Sequence, residues 1–530
     1  WEARRSTARS GSLCAPCPAA SYARRERQGR ATAGTGAGPG RGSYPRALSE
    51  DGSGYQGWMT RNLLALSTAL ALAAALAALL AGAAAAASQY EAPDPGGDHR
   101  AKVRVPPPGK LFGLNELISG GAFGVGPGTY AGLARLAGAN TIRTLIDWRL
   151  AEPERDVWDE AQWEKWQHAY NAASAAGLRP ILGVGLAPWW ARDPEYQGCM
   201  GLHLACRFPP SRGMYDEWME FVNEVVVRFP WAVIQVWNEP NLRPWWGSEP
   251  EPERYAELLH WAHWTAKRIN SDVAVVASVS GNLDGVDGMP VRAFLERAYR
   301  APEPYDLRAS MDLLGVNLYP YSNRFGKDTA LAKALKDIRD AREAAGDETP
   351  LLVTETGIDS GAPWPYTERQ QARASMRLYR KLVTMDDVAG VVFHRIIEPG
   401  ERGKVDAAPR EWGYAWIRFD TSPLEPKPVY CLFAERARNF YPPCLAIRVK
   451  GPRLGAPVKR GGRAVFRLRV PALYARLRCA IDGRRMRPCR RRFNAGRLRP
   501  GRHVLRVRAI DRNGNRGELV RRRFAVRGAK

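Results

Sequence analysis

The chain has 530 residues and is 45% hydrophobic, enough to bury a large core and too long for one ordinary domain. Its formal net charge is +25, and the excess sits at one end: residues 445–530 hold 28 Lys and Arg against 3 Asp and Glu, whereas residues 59–444 hold 42 against 47. This excludes a uniformly basic body and points to two units that face different partners.

Residues 1–58 are rich in Arg, Gly, Ser and Ala, lack periodicity and contain no Met. Such a composition cannot bury a core. We read them as a disordered basic segment and an upstream translation artefact, the alternative being a genuine disordered arm. Met59 is followed by Thr60-Arg61-Asn62 and an apolar run from Leu63 to Ala87. A positive start, an apolar stretch and an Ala-rich exit near Ala85 and Ala87 predict a signal peptide over 59–87. The run is also long enough to span a bilayer, so a membrane anchor formed by residues 63–87 is the competing reading. Either way the protein is expected to be extracellular, secreted or anchored. Residues 88–110 read as a linker. The remaining cysteines fit export: Cys199 and Cys206, Cys431 and Cys444, and Cys479 and Cys489 are near neighbours in sequence, predicting three short disulfide loops. None has the paired C-x-x-C spacing of a zinc site, so no metal is expected.

From residue 111 to about 440, apolar runs alternate with amphipathic stretches. The runs are LFGLNEL (111–117), TIRTLIDW (141–148), RPILGVGL (179–186), AVIQVWNE (232–239), VAVVASVS (273–280), MDLLGVNLY (311–319), PLLVTETG (350–357) and VAGVVFHRI (388–396). Near-continuous apolar runs are the pattern of buried parallel strands. Helical patterns such as residues 163–177 and 255–269 lie between them. Eight strand–helix repeats predict an α/β fold, a (β/α)8 TIM barrel, over a doubly wound open sheet. The Gly-rich GAFGVGPG (121–128) lacks the Lys-Ser/Thr ending of a phosphate loop and reads as the first loop.

A barrel of this kind carries its chemistry at the C-terminal ends of the strands. Those ends hold Asn115 and Glu116, Arg143 and Asp147, Asn238 and Glu239, Asn317 and Tyr319, Glu355, and His394 with Arg395. In a regular strand only one of His394 and Arg395 can face the axis. Trp189, Trp190, Trp245, Trp246 and Trp364 crowd the same loops, and aromatic faces stack on the apolar faces of sugar rings. Glu239 and Glu355, three strands apart, suit glycoside hydrolysis, in which one carboxyl protonates the leaving oxygen and the other attacks the anomeric carbon or activates water. A separation of about 5–5.5 Å favours direct attack and retention. Across that gap an effective dielectric near 20 gives roughly 3 kcal/mol of repulsion, or about 2 pK units, so one carboxyl stays protonated.

On these residues the chain resembles the retaining glycoside hydrolases of clan A. VWNEPNLRPWW resembles the strand-4 signature of glycoside hydrolase family 39, and the layout is also similar to the cellulase-like family 5. The resemblance covers residues 111–440. It implies Glu239 as acid/base, Glu355 as nucleophile, Asn238 on the sugar 2-hydroxyl, Tyr319 orienting Glu355 and Arg143 supporting it. Asn317, Trp189, Trp245, Trp246 and His394 complete the expected substrate-binding set. The chain departs from family 5 in three places: GVGLAPWW lacks a His after strand 3, Asn317-Leu318-Tyr319 replaces H-x-Y, and Phe393-His394-Arg395 stands where a Trp is common.

After Cys444, short strands are predicted at 464–470, 475–483, 503–511 and 519–526, separated by Gly and Asn-Gly turns. The segment CAIDG…PC…LRPGRHVLRVRAIDRNGN resembles a bacterial immunoglobulin-like module appended to secreted enzymes, which implies a small all-β immunoglobulin-like sandwich over 445–530. Arg alternates with apolar residues there, leaving one face lined with guanidinium groups. Such a face is either simply solvated or attracted to an anionic surface glycan, wall polymer or lipid; nucleic acid is not an expected partner of an exported chain. The expected activity is hydrolysis of O-glycosidic bonds in a β-linked polysaccharide or oligosaccharide by double displacement, with no cofactor. The alternative is a catalytically inactive glycan-binding barrel protein at the cell surface.

Overall fold

Apolar runs that alternate with amphipathic ones have one economical arrangement, strands inside and helices outside. The computed structural model describes residues 108–115, 126–199, 206–281, 287–320, 329–361, 366–399, 409–419, 424–459 and 461–528. The expected signal or anchor, the basic segment before it, Glu116, Trp364 and most of the Gly-rich first loop lie outside the described residues. The described residues all belong to one unit, Arg100–Lys530.

Eight parallel strands close into a barrel: β1 (Leu111–Asn115), β2 (Thr141–Asp147), β3 (Arg179–Gly185), β4 (Val233–Val236), β5 (Val275–Ser280), β6 (Leu313–Asn317), β7 (Leu351–Thr356) and β8 (Val388–His394). They pair in sequence order, and β8 returns to β1 with Leu111 opposite Gly390 and Asn115 opposite His394. Each strand is followed by a helix: α1 (Pro127–Leu136), α2 (Glu160–Ala175), α3 (Tyr215–Arg228), α4 (Pro252–Ile269), α5 (Val291–Ala298), α6 (Thr329–Ala345), α7 (Glu368–Val383) and α8 (Pro428–Arg436). Local chemistry marks several starts. Asp159 caps α2 by accepting from Gln162 N, and Thr367 with Gln370 forms a capping box on α7.

Side chains alternate across a strand, so each strand sends one set outward to the helices and one set to the axis. At the floor the inward set is apolar: Ile181, Val233, Val276, Leu352 and Val392 form their own cluster. Two residues further along each strand the inward positions become Gly183, Gln235, Ser278, Thr354 and His394. A polar layer therefore rests on an apolar floor. Strand β7 breaks the alternation. Its register with β6 passes from Val316 opposite Val353 to Asn317 opposite Glu355, and its register with β8 slips in the same stretch. The extra residue is a bulge, which re-aims the side chain beside it. Strict alternation from Leu352 would turn Glu355 away from the axis.

Beyond the barrel lie two antiparallel sheets. One has the order β11 (Arg448–Lys450), β12 (Arg463–Arg469), β15 (Arg492–Arg497); the other has β14 (Arg487–Cys489), β13 (Arg476–Ile481), β16 (Gly501–Ile510), β17 (Val520–Val526). A minor pair, β9 (Ile417–Arg418) with β10 (Glu425–Pro426), precedes them. The sheets meet through Phe466 and Phe524, whose rings lie 5.0 Å apart. All three expected disulfides are formed: Cys199–Cys206, Cys431–Cys444 and Cys479–Cys489. The second ties α8 to the chain entering the sheets. At the same junction Asn513 Nδ2 donates to Glu435 O at 2.8 Å, and Leu445 is buried against Gly517.

Candidate active site

The polar layer is organised around one arginine. Arg143, on β2, is buried and donates three ways: Nε to Gln235 Oε1 (2.7 Å), Nη1 to Glu355 Oε1 (2.5 Å) and Nη2 to Asn238 Oδ1 (2.9 Å). Its planar fork links β2 to β4 and β7 and fixes all three partners. Glu355 also accepts from Tyr319 Oη on Oε2 and from Asn115 Nδ2 on Oε1, each at 3.0 Å. A carboxylate gripped by three donors is fixed in one orientation.

Glu239 has a different setting. Strand β4 ends at Val236, and the chain then takes positive φ at Trp237 (67°) and Glu239 (47°). Left-handed conformations cost a non-glycine residue of order 1–3 kcal/mol and persist where the surroundings enforce them. Here Trp237 is packed against Trp246, Gln235 Nε2 donates to Trp237 O, and Asn317 Nδ2 donates to Glu239 Oε1 at 3.0 Å. No cation donates to Glu239 among the described residues; Asn317 and Ser280 supply its side-chain hydrogen bonds. Burial, and then the charge of Glu355, push its carboxyl up to about 7, against the weaker pull of those bonds and of Arg143. The sequence pointed to repulsion by Glu355 as the chief cause; burial is the larger one. The barrel mouth thus holds two carboxyls in different settings, Glu355 with a cationic donor and Glu239 without one.

Of the expected residues, Glu239, Glu355, Asn238, Arg143, Asn317 and Tyr319 form one connected hydrogen-bonded set. His394 adjoins it: its Nδ1 lies 3.3 Å from Asn115 Nδ2, and its Nε2 lies 2.6 Å from Glu411 Oε2. In the neutral ring Nδ1 accepts from Asn115 and Nε2 donates to Glu411. Burial lowers the His394 pKa, but the charge and hydrogen bond of Glu411 outweigh it and the net shift is upward. The expected choice between His394 and Arg395 is not met. Arg395 Nη1 lies 3.5 Å from the same Glu411 oxygen, because β8 ends at His394 and alternation ends with it.

The aromatic set divides. Trp189 is 39% exposed and available to a ligand. Trp246 is a correction: it is fully buried between Trp237 and Tyr255, its Nε1 directed at Glu251, and has no face for a sugar. Trp190 is likewise buried, donating to Glu152 O. Trp245 is half-buried, and one face is covered by Arg207, whose guanidinium carbon lies 3.6 Å from the ring centre.

Five contributors were not singled out for a role from sequence. Gln235, Ser278, Ser280 and Asn115 lie in strands, and a polar residue at an inward position of an apolar run is the signal that marks them. Glu411 follows the barrel in a short helix, Pro409–Tyr414, and its sequence context carries no such signal. Among the described residues no group of three or more His, Cys, Asp and Glu is placed to hold a metal, and no helix is long and apolar enough to cross a membrane.

No protein-family model and no curated protein matches the chain. Among solved structures it is similar to a family 39 glycoside hydrolase from the gut symbiont Bacteroides cellulosilyticus WH2, at 16% identity over 78% of this chain and 79% of that one, TM-score 0.44. It is similar to a GH5_18 from Bifidobacterium longum subsp. infantis, at 16% identity over 62% and 79%, TM-score 0.47. It also matches the exo-beta-1,4-mannosidase Op5Man5 from Opitutaceae bacterium strain TAV5, at 16% identity and TM-score 0.45, spanning 62% of this chain but only 59% of the mannosidase. Likeness at this level carries no argument about chemistry, and the barrel is established by its own strand register.

Proposed function

We propose that the chain is an exported retaining glycoside hydrolase acting on a β-linked poly- or oligosaccharide. The observation that carries the reading is the contrast between two carboxyls at one barrel mouth: Glu355 gripped by Arg143, Tyr319 and Asn115, and the half-buried Glu239, without a cationic donor among the described residues and pushed up to about 7. Glu355 attacks the anomeric carbon while Glu239 gives its proton to the leaving oxygen. Water then enters on the same face, Glu239 takes its proton, and the ester to Glu355 is released with retention. In this reading Asn238, oriented by Arg143, binds the sugar 2-hydroxyl. The three disulfides suit an oxidising compartment.

The C-terminal sheets are the docking part of this reading. A groove of about 660 Å³ is lined by Arg476, Arg478, Arg490 and Arg516 beside Leu477 and Pro488. Cations beside apolar surface suit an anionic polysaccharide, and we assign the sheets to holding the enzyme on one.

The test is a panel of β-linked polysaccharides and aryl glycosides with product anomers followed by NMR. Hydrolysis with retention, lost in Glu355→Gln, is expected. Inversion, or near-normal turnover by Glu355→Gln, overturns the mechanism.

A further inference from the structure

Three arginines converge on the strand-3/strand-4 side of the mouth. Arg149 is paired with Asp147 through two hydrogen bonds, Nε to Oδ1 at 2.9 Å and Nη2 to Oδ2 at 2.7 Å. Arg192 is buried and donates only to backbone carbonyls, those of Ala187 and Cys199. Arg207 follows the Cys199–Cys206 disulfide and lies over Trp245, its guanidinium carbon 3.6 Å from the ring centre. Its Nε is buried without a hydrogen-bond partner. Among the described residues neither Arg192 nor Arg207 has a carboxylate within ion-pair reach; Asp147, the partner of Arg149, acts on both from further away, and Glu239 acts on Arg207. Burial, then the like charge of Arg149, lowers both Arg192 and Arg207 to about 10. An uncompensated buried cation is a standing cost to the fold.

Its position gives the cost a use. Glu355, Asn115 and His394 stand on β7, β1 and β8. Arg207 and Trp245 stand across the mouth, in the loops after β3 and β4, and Arg207 feels the charge of Glu239. Gly247, at φ 84°, lets the two loops touch: a Cβ there would collide with the Arg207 carbonyl and ring of Phe208. On the reading that Glu239 protonates the glycosidic oxygen, this side receives the sugar that leaves. A guanidinium stacked on an indole keeps its N–H edge free for a planar anion, and the stack replaces part of its lost hydration.

We propose that the leaving-group subsite selects an anionic sugar, one bearing a carboxylate or a sulfate ester, with Arg207 on its Trp245 platform as the recognising group. The arginines lining the groove of the C-terminal sheets fit the same polymer independently, since an acidic chain held by the sheets would carry acidic units into the mouth.

The experiment compares three oligosaccharides of one backbone: an oligouronide, its carboxyl-reduced form, and the reduced form O-sulfated. kcat/KM is measured for the wild type, Arg207→Gln and Arg207→Lys, and binding is measured calorimetrically on Glu355→Gln. Hydrogen bonds to a charged partner predict a preference of roughly 10- to 100-fold for an acidic substrate over the reduced one. That preference should collapse towards one in Arg207→Gln and survive in part in Arg207→Lys. Preference for the oligouronide alone assigns a carboxylate, and for the sulfated form alone a sulfate. Equal hydrolysis of acidic and reduced substrates by the wild type overturns the inference and leaves the glycosidase reading standing. Acid-selective binding without turnover of any substrate overturns the glycosidase reading and leaves the anion site. Turnover of the reduced form alone overturns the inference and leaves the glycosidase reading standing, and neither binding nor turnover of any of the three removes both.

Discussion

Glu239 is the residue whose environment has the sharpest consequences. In its proposed role of general acid it must be protonated, so kcat/KM should fall about tenfold per pH unit above about 7. Glu239→Gln should flatten that limb and should hurt substrates with poor leaving groups most. A pH–rate profile with paired aryl glycosides reads both. The same shift has a stability side. Its folded pKa is raised from 4.5 to about 7, so across that window the folded state binds more protons than the unfolded chain, and stability falls as pH rises. Glu239→Gln removes the buried charge. Its Tm should therefore exceed that of the wild type at pH 8 and match it near pH 4. Glu239 was legible in sequence from WNEPN at a strand end. A raised pKa for one of the pair was legible as well, but its larger cause was not, because burial is a property of the folded mouth.

At the scale of elements, the bulge in β7 decides the site. It lets Thr354 and Glu355 both serve the interior, and Thr354 Oγ1 donates to Asn317 Oδ1 at 2.8 Å with both side chains fully buried. Asn317 in turn donates to Glu239. Thr354→Val keeps the shape and removes the donor, leaving a buried acceptor unsatisfied at a cost of about 1–3 kcal/mol. Denaturant unfolding should show that loss, and kcat should fall about tenfold as Asn317 loosens, the equivalent of about 1.4 kcal/mol. Arg143→Met should be far more damaging, since one side chain positions Gln235, Asn238 and Glu355 together; a loss of about 10²–10³ in kcat matches removal of a preorganised donor. The strands themselves were readable as eight apolar runs. The bulge was not, because TETG reads equally well in either register until β6 and β8 pair with it.

For the molecule as a whole, the unusual feature is the charge of the C-terminal sheets. Arg448 stands opposite Arg469, Arg467 opposite Arg492, and Arg478 opposite Arg508. Like charges directly opposite on a sheet are destabilising. Arg467→Glu should therefore have opposite effects on two readouts. It turns a repulsive pair into an attractive one and should stabilise the sheets by about 0.2–1 kcal/mol, while weakening retention on an anionic glycan column and flattening its salt dependence. Unchanged retention at low salt would remove the docking role. Truncation at residue 445 is a poorer test, because Leu445 is buried at the junction and Asn513 bonds to α8.

By itself the sequence determined the repeat of strand and helix, the disulfide partners, the basic end and the two glutamates, because each is written in local pattern: periodicity, spacing or composition. Only the tertiary structure decided that Arg143 ties three strands together, that Trp246 belongs to the core, and that His394 and Arg395 share Glu411. The same holds for Arg207, which rests unpaired on Trp245. These depend on side chains from distant strands meeting in one buried layer, where the cost of an unpartnered charge is set by everything packed around it.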